Sequence, residues 1–187
     1  MKSFQITEWC HELFLVQAVT GGTYIDATMG NGHDTLFLCE LAGKEGQVLA
    51  FDIQKQALES TRALLKSEGM EQKARLILDS HENMAKYADE ASVDGICFNF
   101  GYLPGSDHSL ATKPESSKNA VIEGLRLLKK GGVMSLCIYS GGETGFEERD
   151  TLLAYLKSLD EKKYLVIVSA YYNRKNNPPI PVLIIKK

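Results

Sequence analysis

The feature that most limits how this chain can fold lies near its C-terminal end. Two apolar runs, Y-L-V-I-V-S-A-Y-Y-N (164–173) and V-L-I-I-K-K (182–187), are separated only by R-K-N-N-P-P-I-P. Eight residues cannot hold the crossover helix that parallel pairing requires, so the last strand is expected to return antiparallel as a hairpin. Upstream the pattern is the opposite. Strand-like runs at 23–29, 47–53, 74–79, 94–100 and 133–140 alternate with helical patterns at 33–43, 54–69, 82–90, 116–130 and 146–160. Such alternation predicts parallel strands with helices packed on both faces of the sheet. The expected architecture is α/β: a doubly wound, seven-stranded, mostly parallel sheet closed by one antiparallel C-terminal strand. Gly69 marks the end of the second helix, and Lys129-Lys130-Gly131-Gly132 supplies favourable charge and then a stop for the fourth.

A chain of 187 residues supports one substantial core, so residues 1–187 are expected to form a single domain. An amphipathic helix at about 7–19, with Trp9, Leu13, Phe14 and Val16 on one side, makes residues 1–22 a helical cover for the sheet. A net charge of −3 excludes coating of nucleic acid by bulk charge and leaves room for a local basic patch. No apolar run approaches the ~18–20 residues of a membrane span, and the start M-K-S-F-Q-I-T-E-W-C lacks a signal peptide's apolar segment, so a cytoplasmic protein without membrane partners is expected. Cys10, Cys39, Cys97 and Cys137 are scattered through apolar stretches and read as buried thiols. His11 and His108 lack ligand-spaced partners, and no metal is expected.

The chemistry concentrates at the strand ends. Y-I-D-A-T-M-G-N-G-H-D-T (24–35) is a strand, a Gly-x-Gly turn and a helix start. Gly30 and Gly32 can take positive φ and let a ligand approach the backbone, while the helix offers unpaired N–H groups; an ordinary turn uses the same residues. The next strands end in Asp52, in Asp79-Ser80-His81 and in Asn99 followed by Tyr102-Leu103-Pro104-Gly105. Ligands of open α/β sheets bind outside the carboxyl ends of the strands, so these polar residues describe one contiguous pocket.

D-A-T-M-G-N-G-H-D-T (26–35), F-D-I-Q (51–54), D-S-H-E-N-M (79–84), N-F-G-Y-L-P-G-S-D (99–107) and N-R-K-N-N-P-P (173–179) together resemble the bacterial rRNA methylase family of class I methyltransferases. The resemblance implies a Rossmann-like class I methyltransferase fold, S-adenosyl-L-methionine as cofactor, and transfer of its methyl group by in-line displacement to the 5-aminomethyl group of 2-thiouridine at the wobble position of tRNA. It implies tRNA, through its anticodon loop, as partner, and a homodimer is the expected assembly. In one place the chain departs from the family. After the fifth strand, where a Tyr-x-Gly-His-x-Gly-Gly-like turn is usual, it carries I-Y-S-G-G-E-T-G-F-E-E (138–148), with Gly142 at the histidine position, so a proton-transfer role for that histidine does not carry over.

On this resemblance Gly30, Asn31, Gly32, Asp34 and Thr35 wrap the methionine end of the cofactor, and Asp26 holds the turn or meets the ammonium group. For Asp34 and Thr35 simple N-capping is the alternative. Asp52 takes the ribose hydroxyls with Gln54 beside it, and Ser80 and His81 lie at the adenine; a helix-start signal at Ser80 and a core position for His81 remain open. Asn99 and Tyr102 are the expected catalytic pair, with Asn99 also touching the cofactor, Pro104 in the wall beside the acceptor, and core aromatics the alternative for Phe100 and Tyr102. Arg174, Lys175 and Asn177 suit phosphate and a splayed nucleotide, although a solvated hairpin loop has the same composition. Lys129, Lys130, Lys186 and Lys187 read as helix-end and terminal charges. A methyltransferase for rRNA or a small amine, and a non-catalytic module that binds the cofactor or RNA, stand as alternatives. A dehydrogenase fits poorly, because Thr35 replaces the third glycine of G-x-G-x-x-G.

Overall fold

The structure, a computed structural model, describes residues 4–101, 112–141 and 145–187. In chain order the elements are α1 (Ile6–Leu15), β1 (Thr23–Asp26), α2 (His33–Ala42), β2 (Gln47–Asp52), α3 (Lys55–Ser67), β3 (Ala74–Leu78), a 3-10 turn (His81–Lys86), β4 (Val93–Phe100), α4 (Pro114–Leu127), β5 (Leu128–Ile138), α5 (Gly145–Lys157), β6 (Tyr164–Val168) and β7 (Ile180–Lys186). The seven strands order as β3-β2-β1-β4-β5-β7-β6. Strands β1 to β5 pair in parallel, whereas β7 is antiparallel to both β5 and β6. This is the expected mostly parallel sheet with a reversed last strand.

Helical periodicity explains the layers. Ala57, Thr61 and Leu65 of α3, and Leu38, Cys39 and Ala42 of α2, are buried at spacings of three and four, so each helix turns one stripe to the sheet. Leu38, Cys39, Ala42 and Leu65, with Phe14 of α1, form the core on one face around Tyr24, Val48 and Val133, and Ala57 packs with Met29 and Ala50. Ala120, Val121 and Leu125 of α4, with Leu152 and Leu156 of α5, cover the other face around Ile25, Ile96, Phe98 and Leu136. All four cysteines are free and buried. Among the described residues no helix is long and apolar enough to cross a membrane.

Several expected boundaries move. The N-terminal helix stops at Leu15, and Val16, expected on its apolar side, is 73% exposed. The helix expected at 82–90 is only the 3-10 turn His81–Lys86. The fourth helix, expected to run to 130, ends at Leu127, because Leu128 is extended, fully buried and paired with Val93. The register then shifts before Gly95 meets Val133. Lys129 is held by both oxygens of Asp94, and Lys186 reaches from β7 to accept-only partners, the carbonyls of Leu125 and Leu128, so neither is an idle terminal charge. β6 stops at Val168, and Asn176 and Asn177 take φ of 66° and 47°, a left-handed conformation that asparagine tolerates and an extended strand cannot accommodate.

Candidate active site

At the end of β1 the chain makes a turn whose rigidity comes from a buried carboxyl. Asp26 is fully buried; its Oδ2 accepts the Thr35 hydroxyl at 2.6 Å and its Oδ1 accepts the Thr28 N–H at 3.1 Å. Burial pushes this carboxyl up to about 8, the nearby Asp34 charge adds to the rise, and the bonds from Thr35 and Thr28 oppose it. Gly32, at φ +86°, stands at the N-terminus of α2. A Cβ there would lie 2.8 Å from Thr61 Oγ1 and 3.0 Å from Thr61 Cα, so this glycine is needed for the approach of α3. Asp26, Gly32 and Thr35 therefore stand behind the pocket wall and hold it, rather than lining it. Through these bonds Asp26 fixes the turn.

The wall itself encloses a cavity of about 710 Å³ at the carboxyl ends of the parallel strands, and it includes Gly30, Asn31, Asp34, Asp52, Gln54, Ser80, His81 and Asn99. Asp52 closes β2: its Oδ1 accepts the Gln54 N–H at 2.9 Å and its Oδ2 the Gly30 N–H at 3.1 Å. Burial raises its carboxyl above the ordinary range against those backbone bonds. Beyond β3, Asp79 accepts from the Asn83 amide at 2.7 Å, the Ser80 N–H at 2.8 Å and the Tyr87 hydroxyl at 3.0 Å, and these bonds hold it below its usual value, the Asn83 bond most of all. Ser80 Oγ accepts the Glu82 N–H, so the helix-start role is real, and the residue also faces the cavity. His81 sets its ring edgewise against Phe98 and Phe100, and burial holds it below the ordinary histidine range. It belongs to the cavity wall and to the core at once.

Asn99, at the end of β4, is fixed from two directions. Its N–H donates to Thr28 Oγ1 at 2.7 Å and its Nδ2 donates to Asp34 Oδ2 at 2.5 Å. Asp34 in turn takes His11 Nε2 on its other oxygen at 2.7 Å. Neither Asp34 nor Thr35 caps α2, which has no side-chain cap. Past β4, Thr112 Oγ1 accepts the Gly101 N–H and Phe100 is wholly buried, in the core position weighed for it. Tyr102, Pro104, His108 and Gly142 lie outside the described residues.

On the connection from β6 to β7, the Arg174 guanidinium lies 4.4 Å from the Tyr171 ring centroid, and Tyr172 is fully exposed. Asn177 lines a second cavity of about 280 Å³, with Ser140, Arg149, Tyr171 and Pro178. Tyr139 and Gly141 face the first cavity and Ser140 the second, so the two hollows flank one segment of chain after β5. Arg174 and Lys175 are exposed and line neither.

The model of the family described as "Putative rRNA methylase" matches residues 48–185. The chain belongs to this family. A putative rRNA-methylase from Clostridium thermocellum has the same fold, with a TM-score of 0.95, 40% identity and full coverage of both chains. A putative methyltransferase from Streptococcus mutans, solved in complex with SAH, gives a TM-score of 0.88 at 34% identity, again over the whole of both chains. The chloroplastic tRNA (mnm(5)s(2)U34)-methyltransferase of Arabidopsis thaliana is 35% identical over 187 residues, which span 95% of this chain and 67% of that protein.

In this chain two polar residues of the site are not legible from the sequence. Thr28, given no role by the sequence, has no place in the cofactor set expected above, yet its hydroxyl oxygen accepts the backbone N–H of Asn99. His11 was set aside as a lone histidine of the cover helix, yet it is joined to Asp34 and stacked on Phe37 with ring centroids 3.8 Å apart. Its helical spacing toward the sheet, three residues before the buried Phe14, was the available signal.

Proposed function

We propose that this methyltransferase is a cytoplasmic tRNA-modifying enzyme that uses S-adenosylmethionine to methylate the 5-aminomethyl group of 2-thiouridine at the wobble position. The observation that carries the reading is Asn99: backbone and side chain are both fixed, at the wall of the strand-end cavity, with Nδ2 spent on Asp34. The carbonyl Oδ1 is then the acceptor this side chain can offer, and an amine N–H is a donor that fits it. The likeness to the Arabidopsis protein along nearly all of this chain supports the wobble uridine as the acceptor's home.

The residues present fit the cofactor. The cavity of about 710 Å³ is within the ~300–1,000 Å³ usual for small-molecule sites. Asp52 accepts the backbone N–H groups of Gly30, Gln54 and Ile53, which leaves about one of a carboxylate's four lone-pair sites for a ribose hydroxyl. Gly30, Asn31 and Asp34 would hold the amino-acid end, and Ser80 and His81 the adenine. When bound, S-adenosylmethionine supplies a methyl group on positively charged sulfur. The protein's part is alignment: Asn99 orients the amine so that its lone pair points at the methyl carbon, and the buried walls limit water. No covalent residue is needed, because a neutral primary amine is itself a good nucleophile.

Arg174, Lys175 and Asn177 would meet the RNA. A homodimer belongs to the same reading, supported by the exposed Leu165, Ile167 and Val168 on the edge strand β6; sedimentation of the purified protein tests it. The deciding experiment incubates the protein and S-adenosylmethionine with tRNA carrying 5-aminomethyl-2-thiouridine, and in parallel with ribosomal RNA, followed by mass spectrometry of the nucleosides. Gain of one methyl group on the thiouridine is expected. Methylation confined to ribosomal RNA, or to neither, refutes the substrate.

A further inference from the structure

We propose that His11 is a positioning residue for methyl transfer: acting through Asp34, it fixes the side-chain amide of Asn99 with its oxygen available to the acceptor amine. The inference rests on the reading of Asn99 given above and extends it to the N-terminal helix, which contributes no residue to the expected catalytic set.

A carboxylate only accepts hydrogen bonds. The group of Asn99 facing Asp34 Oδ2 at 2.5 Å is therefore its NH2, and the His11 nitrogen 2.7 Å from Oδ1 is a donor. The three side chains form one chain of fixed sense, from His11 Nε2 to Asp34 to Asn99 Nδ2. Asp34 is 11% exposed and His11 22%, so water competes little for either oxygen. The Asn99 backbone is held by Thr28. What remains free is rotation of the amide, and the carboxylate restrains it only while the carboxylate itself is held. Losing the His11 N–H lets Asp34 turn and the amide flip, which would present NH2 instead of an oxygen to the amine.

His11 also has a second, purely structural contact. Its ring lies parallel to Phe37, with an interplanar angle of 5°, and helix α1 is seated by the buried Phe14. The two contacts can be separated by substitution. His11→Phe keeps a ring on Phe37 and removes the donor, while His11→Gln keeps a donor and removes the ring.

The test measures kcat, KM for the thiouridine-bearing tRNA, and affinity for S-adenosylhomocysteine in both variants. In His11→Phe we expect kcat to fall about tenfold or more with KM for the tRNA within about threefold of the wild type, because alignment is lost while tRNA binding is kept; cofactor affinity, which Asp34 also serves, should fall by less than kcat. His11→Gln should recover most of kcat despite a lower melting temperature. The reverse order, with His11→Phe active and His11→Gln impaired, makes His11 a packing residue and overturns the proposal. Should the wild type fail to methylate this tRNA, the substrate reading falls, and the Asn99 side-chain amide resonances of the S-adenosylhomocysteine complex decide the point. A change in His11→Phe that is absent in His11→Gln upholds the positioning role; unchanged resonances in His11→Phe overturn it.

Discussion

Replacing Gly32 by alanine separates what the glycine turn does for the fold from what it does for a ligand. A methyl group at this position would sit 2.8 Å from Thr61 Oγ1, 2.9 Å from its Cγ2 and 3.0 Å from its Cα. The first two atoms belong to a short side chain and the third to the backbone of α3, so the helix itself must shift. Overpacking of this kind costs about 1–3 kcal/mol. The left-handed conformation at φ +86° adds about 1–2 kcal/mol for any residue with a Cβ. Gly32→Ala should thus lose roughly 2–5 kcal/mol, and a middle value of about 3 kcal/mol lowers the melting temperature of a chain this size by roughly 6–12 °C. Gly69→Ala is the control. Gly69 has φ +68° with nothing within 4 Å of a built Cβ, so only the conformational cost of about 1–2 kcal/mol applies. Urea unfolding of the two variants beside the wild type, read as midpoints at constant m, gives the difference. Equal losses in the two variants would mean that α3 yields freely and that the close approach at Thr61 does not constrain the turn.

Asp52→Asn should weaken S-adenosylmethionine binding by about 10–100-fold, the range for losing a hydrogen bond to a charged acceptor; calorimetry showing an unchanged Kd removes Asp52 from the cofactor site. For Asp26, burial lets the folded carboxyl keep its proton up to about 8, while the unfolded one releases it near the ordinary aspartate value of 3.8. Between those values the native state binds the extra proton, so stability is greatest at the acid end of the window and declines as pH rises through it. Asp26→Asn should flatten that decline in urea unfolding at pH 5 and pH 8, and an unaltered pH slope refutes a protonated Asp26. Replacing both Arg174 and Lys175 by alanine should weaken tRNA binding and reduce its dependence on log salt by about 1.4, with cofactor affinity unchanged. An unaltered salt slope in filter binding means the loop is only a solvated hairpin.

The strand ends were readable because two independent constraints coincide there. The inner strands β2 and β4 are buried and apolar over most of their length, so Asp52 and Asn99 announce both the approach of the strand end and the rim of the pocket, whereas Asp79 follows an edge strand that already carries Arg75 and stands out less. The reversed β7 was equally plain, since the short connection excludes a crossover. Elsewhere local pattern and tertiary pairing disagree. Lys129 to Gly132 look like a helix end, yet Leu128 already pairs with Val93, and the helix gives way to the sheet. The turn residues Asp26, Gly32 and Thr35 have the types of a ligand cradle and serve as its support, because burial, which sequence spacing does not encode, decides which polar atoms face inward. His11 illustrates the same limit from the other side: its partner is Asp34, in another helix.

The position of β7 has a consequence for the way the molecule is made. β7 lies between β5 and β6 and is the only described neighbour of β6, so the two strands nearest that end of the sheet are joined by a segment synthesised after both. Until residues 180–186 leave the ribosome, β5 presents a bare, apolar edge and the β6 segment has nothing to pair with. The nascent chain therefore carries a sticky rim while most of its core can already form. Completion comes in one late docking event, when Ile138 finds Ile180, β6 zips along the far side and the Lys186 ammonium closes over the end of α4. A chain cut before residue 180 would leave β5 with an open edge and β6 without the partner it has here.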